Sequence, residues 1–375
     1  LPPQERRIAG QTSHILQGPA ARHDRRTGTI STLIEAHRSS AEWAEDIKAA
    51  TRKAYTARGN VLNLWLGDVE TRQIRPSEAA RTFRTLLDVG FYRHDRMRGA
   101  RGLEAHQAVF NMSRGQREIL RANRIEAMDV DPELAARPPG YSTAFYVMLY
   151  AGTLITWANR AIDAGLINPF SKMGLASPAG RVRYIEPHEL NHLVETADRL
   201  GRQHLGDAAG LAVNTVQRKG DLLTLGWHVH QDGRFRVAQE KTGEVVDCKF
   251  TKALMRRLDA AWERARERGI HPTPDAPILD YPSRDHITRE WDLVRRHAAE
   301  TMPSVADITF HDLRDTGFTR LIEAVNSLVQ ACQVSGHSIR RAATIEKAYL
   351  AKRTGIADAA IDRTDRWMTE RGVSL

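Results

Sequence analysis

The chain has 375 residues, 41% hydrophobic and 27% charged, with 55 Lys and Arg against 46 Asp and Glu for a formal net charge of +9. No apolar run reaches the length a membrane-spanning helix needs, and two cysteines, Cys248 and Cys332, form neither a disulfide framework nor a metal pattern. What remains is a soluble chain long enough for two domains, basic enough to favour a polyanionic partner, with no apolar signal segment at its start and a reducing, cytoplasmic setting expected.

Residues 1–28 hold five arginines and little apolar periodicity, and read as a basic, flexible tail. From Ile30 the pattern is helical: Ser31 is the expected cap of a helix carrying Leu33, Ile34 and His37. One long helix is expected over residues 41–66, striped by Trp43, Ile47, Tyr55, Val61, Leu62 and Trp65. Pro76-Ser77-Glu78 opens another. Residues 90–140 are charge-rich, with a helix expected over 109–128. Pro138-Pro139-Gly140 closes that stretch, and a buried helix over 142–164 follows, stopped by Gly165 and Asn168-Pro169. Residues 171–184 are rich in Gly, Ser and Pro and read as a linker. Pro187 begins a helix, 207–216 forms the next, and short strands are expected at 227–229, 234–239 and 244–250, with turns at Gln231-Asp232-Gly233 and Lys241-Thr242-Gly243. The remainder is helical.

The chemistry gathers near the C-terminus. His311-x-x-Arg314 puts a histidine and an arginine on one helix face. Gly336-His337 follows 23 residues after Arg314, and Tyr349 stands 12 residues after His337. This H-x-x-R box, G-H dipeptide and following tyrosine resemble the signature of the tyrosine recombinase (phage integrase) family. Upstream, LAVNTVQRKGDLLTL resembles the family's first arginine box, with Arg218 as the arginine and Asp221 at the acidic position; Val216 stands where that box commonly has glycine. VAQEKTGEVV resembles the hairpin that carries the family's lysine, here Lys241. TLITWANRAIDAGLINPF, residues 153–170, looks like the last helix of the family's core-binding domain, and residues 30–87 like its opening helices.

The resemblance implies a mainly α protein with a small antiparallel β-sheet. A helical core-binding (SAM-like) domain over 29–170, elaborated near 90–140, would precede a mixed α/β catalytic domain over 185–375. It implies a site-specific DNA recombinase in which Tyr349 attacks a DNA phosphate and forms a 3′-phosphotyrosine. Arg218 and Arg314 would clamp the non-bridging oxygens, Lys241 would act as general acid, His311 would assist as base, His337 would hydrogen-bond the phosphate and Asp221 would support Arg218. No cofactor or metal is expected. The partner is double-stranded attachment-site DNA, gripped between the two domains, with a homotetramer in synapsis and a C-terminal segment, Gly355 to Met368, docking on a neighbouring copy. Accessory DNA-bending or directionality proteins are a further partner class, and integration or excision of a mobile element is the expected role. The alternatives are a topoisomerase- or resolvase-like strand-transfer enzyme, and a decayed integrase that only binds DNA.

Overall fold

The computed structural model describes residues 28–97, 99–100, 102–178, 180, 183–269, 271–325, 327–337 and 355–371. The tail expected over 1–28 lies outside them except for Gly28. Contacts divide the chain into two compact units, Leu1–Ala179 and Gly180–Leu375.

The first unit is helical. It comprises α1 (Ile30–Arg38), α2 (Ala41–Glu45), α3 (Ala49–Leu66), α4 (Pro76–Arg96), α5 (Glu104–Phe110), α6 (Arg114–Val130), α7 (Pro132–Ala136) and α8 (Tyr141–Ala161). Helix α8 is buried along most of its length because Ala144, Val147, Met148, Ala151, Leu154, Ile155 and Ala158 recur at helical spacing. They meet Ile30 and Ile34 of α1, Val61 and Leu62 of α3 and Phe83 and Leu86 of α4 in one core. Three local expectations are corrected. The cap of α1 is Thr29, whose side chain accepts from the Thr32 backbone amide, and Ser31 lies inside the helix. The helix expected over 41–66 breaks at 46–48, where Arg52 Nη1 donates to the carbonyls of Trp43 and Ala44 at 3.1 and 2.7 Å. An arginine that satisfies the terminal carbonyls lets α2 end without a glycine. The helix expected over 109–128 is two, because Ser113 and Gln116 form a capping box that starts α6 afresh.

Helices α4, α5 and α6 share a smaller core of Val89, Phe91, Ala105, Val109 and Leu120. His106 is buried beside it and accepts from Trp65 Nε1 at 3.3 Å through Nδ1. Burial, and then the Arg93 cation, push its pKa down from 6.5 to about 4. Between those values the unfolded chain binds the proton and the folded one does not, so acid favours unfolding. The contribution of His106 is complete above pH 6.5 and falls by about 3 kcal/mol as pH drops through 4. The His106 ring resonances should titrate near pH 4, with the first unit's urea midpoint falling over the same window; titration near 6.5 would refute this.

The second unit contains α9 (Pro187–Arg199), α10 (Gln203–Thr215), α11 (Lys219–Leu222), α12 (His228–Asp232), β1 (Arg234–Ala238), β2 (Val245–Lys249), α13 (Lys252–Glu267), α14 (Arg284–Thr301), α15 (Phe310–Val325), α16 (Leu328–Ser335) and α17 (Gly355–Glu370). Its core joins Leu193, Leu205, Leu211, Phe235, Leu258, Trp291 and Leu313. The two strands pair antiparallel, from Arg234 opposite Lys249 to Ala238 opposite Val245. The strand expected at 227–229 is absent: Trp227 is the N-cap of the single-turn helix α12, which Gly233 ends in the left-handed conformation at φ 61°. Buried Trp227 and Val229 fit period two, but the Trp227 and His228 amides bond to the carbonyls of Ala276 and Pro274, and Trp227 packs edge-on to Trp262 at 5.1 Å. In α17, Ile361 is 63% exposed. Among the described residues no helix is long and apolar enough to cross a membrane.

Candidate active site

The site is built where α10 and α15 cross. A Cβ at Gly317 would lie 2.2 Å from the Val213 carbonyl oxygen, so only glycine lets the two backbones approach this closely. The N-terminus of α15 is fixed by Asp312, whose carboxylate accepts the Thr309 amide at 2.7 Å, and by Thr316, which accepts the Ile185 amide at 3.0 Å. Helix α10 ends on Val216 at φ 57°. A β-branched residue is costly in this left-handed region. It is held there by complete burial against Phe318, Ile322, Ala331 and Cys332. The turn aims the Val216 carbonyl at Arg314, whose Nε donates to it at 2.8 Å.

Arg314 is 4% exposed. Its Nη2 donates to the Ser335 carbonyl at 3.2 Å and to His337 Nε2 at 3.1 Å. Burial, and then the neighbouring Arg218 cation, push its pKa down to about 10, which leaves it charged at neutral pH. A guanidinium can only donate, so His337 Nε2 carries a lone pair here. The imidazole is therefore neutral and protonated on Nδ1, which faces Ser335 Oγ at 2.9 Å. Phe318 packs edge-on to the ring at 4.9 Å.

Arg218 is the N-cap of α11 and its Nη1 donates to Gln239 Oε1 at 2.7 Å. The Asp221 carboxylate stands back at 3.8 Å from the same nitrogen. Its Oδ1 instead accepts the Glu240 amide at 3.0 Å, so Asp221 holds the strand turn more directly than it holds Arg218. Lys241 is exposed in that turn, between β1 and β2. Arg284 pairs with the adjacent Glu240 and ties the turn to α14.

The structure thus joins Arg218, Arg314 and His337 in one hydrogen-bonded cluster through Gln239 and the Ser335 carbonyl, with Asp221 3.8 Å from Arg218 and Lys241 on the turn beside it. His311 is exposed, its Nε2 3.9 Å from the Asp315 carboxylate, while Arg314, three residues on, points inward. Tyr349 lies outside the described residues. Tyr281, another tyrosine of this unit, donates to Glu290 at 3.3 Å, and burial raises its pKa, which unsuits it as a nucleophile. The sequence reading missed Gln217, Gln239 and Ser335. Gln239 had a visible signal: Phe235 and Val237 are the buried phase of β1, and Gln239 is the next residue in that phase.

The second unit thus joins an antiparallel hairpin to two arginines and a histidine, a cationic cluster whose guanidiniums suit an anionic oxygen ligand. Residues 183–354 match the phage integrase family, so this part of the chain is a phage integrase domain. Solved structures agree on the fold. A lambda integrase dimer bound to a COC′ core site matches at 19% identity and a TM-score of 0.57, covering 86% of this chain and 78% of that one. A lambda integrase tetramer bound to a Holliday junction matches at 18% identity and 0.57, covering 85% and 77%. The Tn1549 transposon integrase in complex with transposon right-end DNA matches at 14% identity and 0.55, covering 90% and 100%. No curated protein matches the chain significantly.

Proposed function

We propose that this protein cuts and rejoins double-stranded DNA at specific sites through a 3′-phosphotyrosyl intermediate on Tyr349, and so integrates or excises a mobile element. The observation that carries the reading is the pair Arg218 and Arg314. Two guanidiniums linked through Gln239 and the Ser335 carbonyl, one of them buried, are suited to a doubly contacted phosphate. In the reaction the Tyr349 oxygen forms a bond to phosphorus as the bond to the 5′-oxygen breaks. His311 takes the phenolic proton, since a free phenol near pKa 10 is a weak nucleophile. Lys241 gives a proton to the departing 5′-oxygen, and the arginines stabilise charge on the non-bridging oxygens. For His337 to donate to the phosphate from Nε2, its ring proton must pass through solvent from Nδ1 to Nε2 as Arg314 Nη2 turns to the phosphate, leaving Nδ1 to accept from the Ser335 hydroxyl. Attack by an incoming 5′-hydroxyl reverses the step on a new strand, without ATP.

Double-stranded DNA as partner, a synaptic tetramer and docking of α17 on a neighbour belong to the same reading. The lambda integrase dimer bound to a COC′ core site and the tetramer bound to a Holliday junction support it. The deciding experiment is a nicked suicide duplex built on the attachment sequence, read from repeats flanking the gene. Wild-type protein should form a covalent adduct, and Tyr349→Phe should bind the duplex and form none. Tight binding by the wild type with no adduct would leave a DNA-binding protein only. An adduct with Tyr349→Phe would move the nucleophile elsewhere. Relaxation of supercoils without joint products would favour the topoisomerase-like alternative.

A further inference from the structure

We propose that Gln239 is the positioning residue of this site: a neutral amide that aims Arg218 at the scissile phosphate and locks the Lys241 turn to both arginine boxes. The inference deepens the proposed function and rests on it. Gln239 is 1% exposed, and its side-chain amide is saturated. Oε1 accepts from Arg218 Nη1 at 2.7 Å and from Thr242 Oγ1 at 2.9 Å. Nε2 donates to Gln217 Oε1 at 2.7 Å and to the Ser335 carbonyl at 2.8 Å. An amide has two donor hydrogens and two acceptor lone pairs, so all four are in use. The four bonds join three segments remote in sequence: the first arginine box, the strand turn and the end of α16.

The Ser335 carbonyl also accepts Arg314 Nη2, so one side chain spans the two cations. The next residue is shaped around it. Gly336 has φ 65°, and a Cβ there would lie 2.4 Å from Gln239 Nε2. The glycine of the G-H dipeptide therefore serves both the αL cap of α16 and the seat of the amide. Within the turn, the Gln239 amide donates to the Glu244 carbonyl and the Gly243 amide to the Gln239 carbonyl, each at 2.8 Å. Lys241 is thus carried on a loop whose base is this residue.

Neutrality is the physical point. A carboxylate this close to Arg218 would orient it equally well but cancel the positive charge that the phosphate needs. An amide oxygen orients the fork and leaves the charge intact. The carboxylate that is present, on Asp221, is at 3.8 Å and is occupied by the Glu240 amide.

The test uses the full chain and two suicide duplexes, one all-phosphate and one with a methylphosphonate at the scissile position. Gln239→Leu should lower single-turnover cleavage of the all-phosphate duplex by about 100-fold, the cost of one lost transition-state donor. Gln239→Glu should lose a similar factor despite its matching shape. On the methylphosphonate, which lacks a charged oxygen, the Gln239→Leu defect should shrink to below about tenfold, because less charge stabilisation is left to lose. An equal defect on both duplexes, or one that follows the melting temperature, would make Gln239 a core polar residue and overturn the proposal. A DNA-free readout separates this from the proposed function. The Arg218 side-chain NMR resonances should shift in Gln239→Leu, and unchanged resonances overturn the proposal whether or not the wild type cleaves.

Discussion

Arg314→Met should lower DNA cleavage by about 100- to 1000-fold, the range for loss of a preorganised donor to a developing oxyanion. Its fold should change little. Keeping this guanidinium charged while burial and Arg218 lower its pKa to about 10 costs on the order of 3 kcal/mol. Methionine removes that cost and keeps most of the volume. It also deletes the bonds to the Val216 and Ser335 carbonyls, each worth about 1.5–3 kcal/mol for a charged donor. The terms largely cancel, so the urea midpoint should move far less than the rate. Arg314→Lys keeps the charge but loses the planar fork, and should fall between wild type and methionine. Single-turnover cleavage beside urea denaturation decides the matter. Cleavage by Arg314→Met within tenfold of wild type would remove Arg314 from the transition state, and unfolding at the assay temperature would make the side chain structural instead.

Arg218, Arg314 and His337 were singled out because their boxes resemble the phage integrase signature, and the structure links the three through hydrogen bonds. Val216 was visible as an anomaly, because glycine is usual where it stands. The structure gives the anomaly a cause: packing against Phe318 and Ile322 holds a β-branched residue at φ 57°. The helices of the first unit were legible from period 3.6, yet their breaks were not. The break at 46–48 depends on Arg52 reaching back to two carbonyls, a contact no local pattern announces. The break before α6 was announced by Ser113 and Gln116 and was overridden by the surrounding apolar spacing. Trp227 and Val229 misled because two buried residues two apart fit one helical turn as well as a strand. Gln239 sat in plain view two residues before Lys241, but its meaning needs Ser335, 96 residues away in sequence.

Residues 90–140 carried no assigned role in the sequence, and the structure ties them to the first unit through a small apolar core and one buried carboxylate. Asp88 of α4 is 2% exposed. Its Oδ1 accepts from Arg124 Nε at 2.8 Å, and its Oδ2 from Arg121 Nε and Nη2 at 3.1 and 2.9 Å. Arg124 is itself 8% exposed, so Asp88→Ala would leave a buried cation without its counter-charge, a loss of about 3–5 kcal/mol. Asp88→Asn retains an acceptor and should lose less. The double variant Asp88→Leu with Arg124→Met removes both charges and should recover most of the loss, since a buried pair is close to neutral against apolar residues of similar size. Arg121, more exposed than Arg124, can turn to water. The measurement is urea denaturation of the full chain, following the tryptophans of the first unit. A single-variant loss below about 1 kcal/mol, the scale of an exposed ion pair, would show that the small core of Val89, Phe91, Val109 and Leu120 holds α6 without Asp88. Failure of the double variant to recover would show instead that the ion pair fixes the helix crossing in a way apolar packing cannot replace.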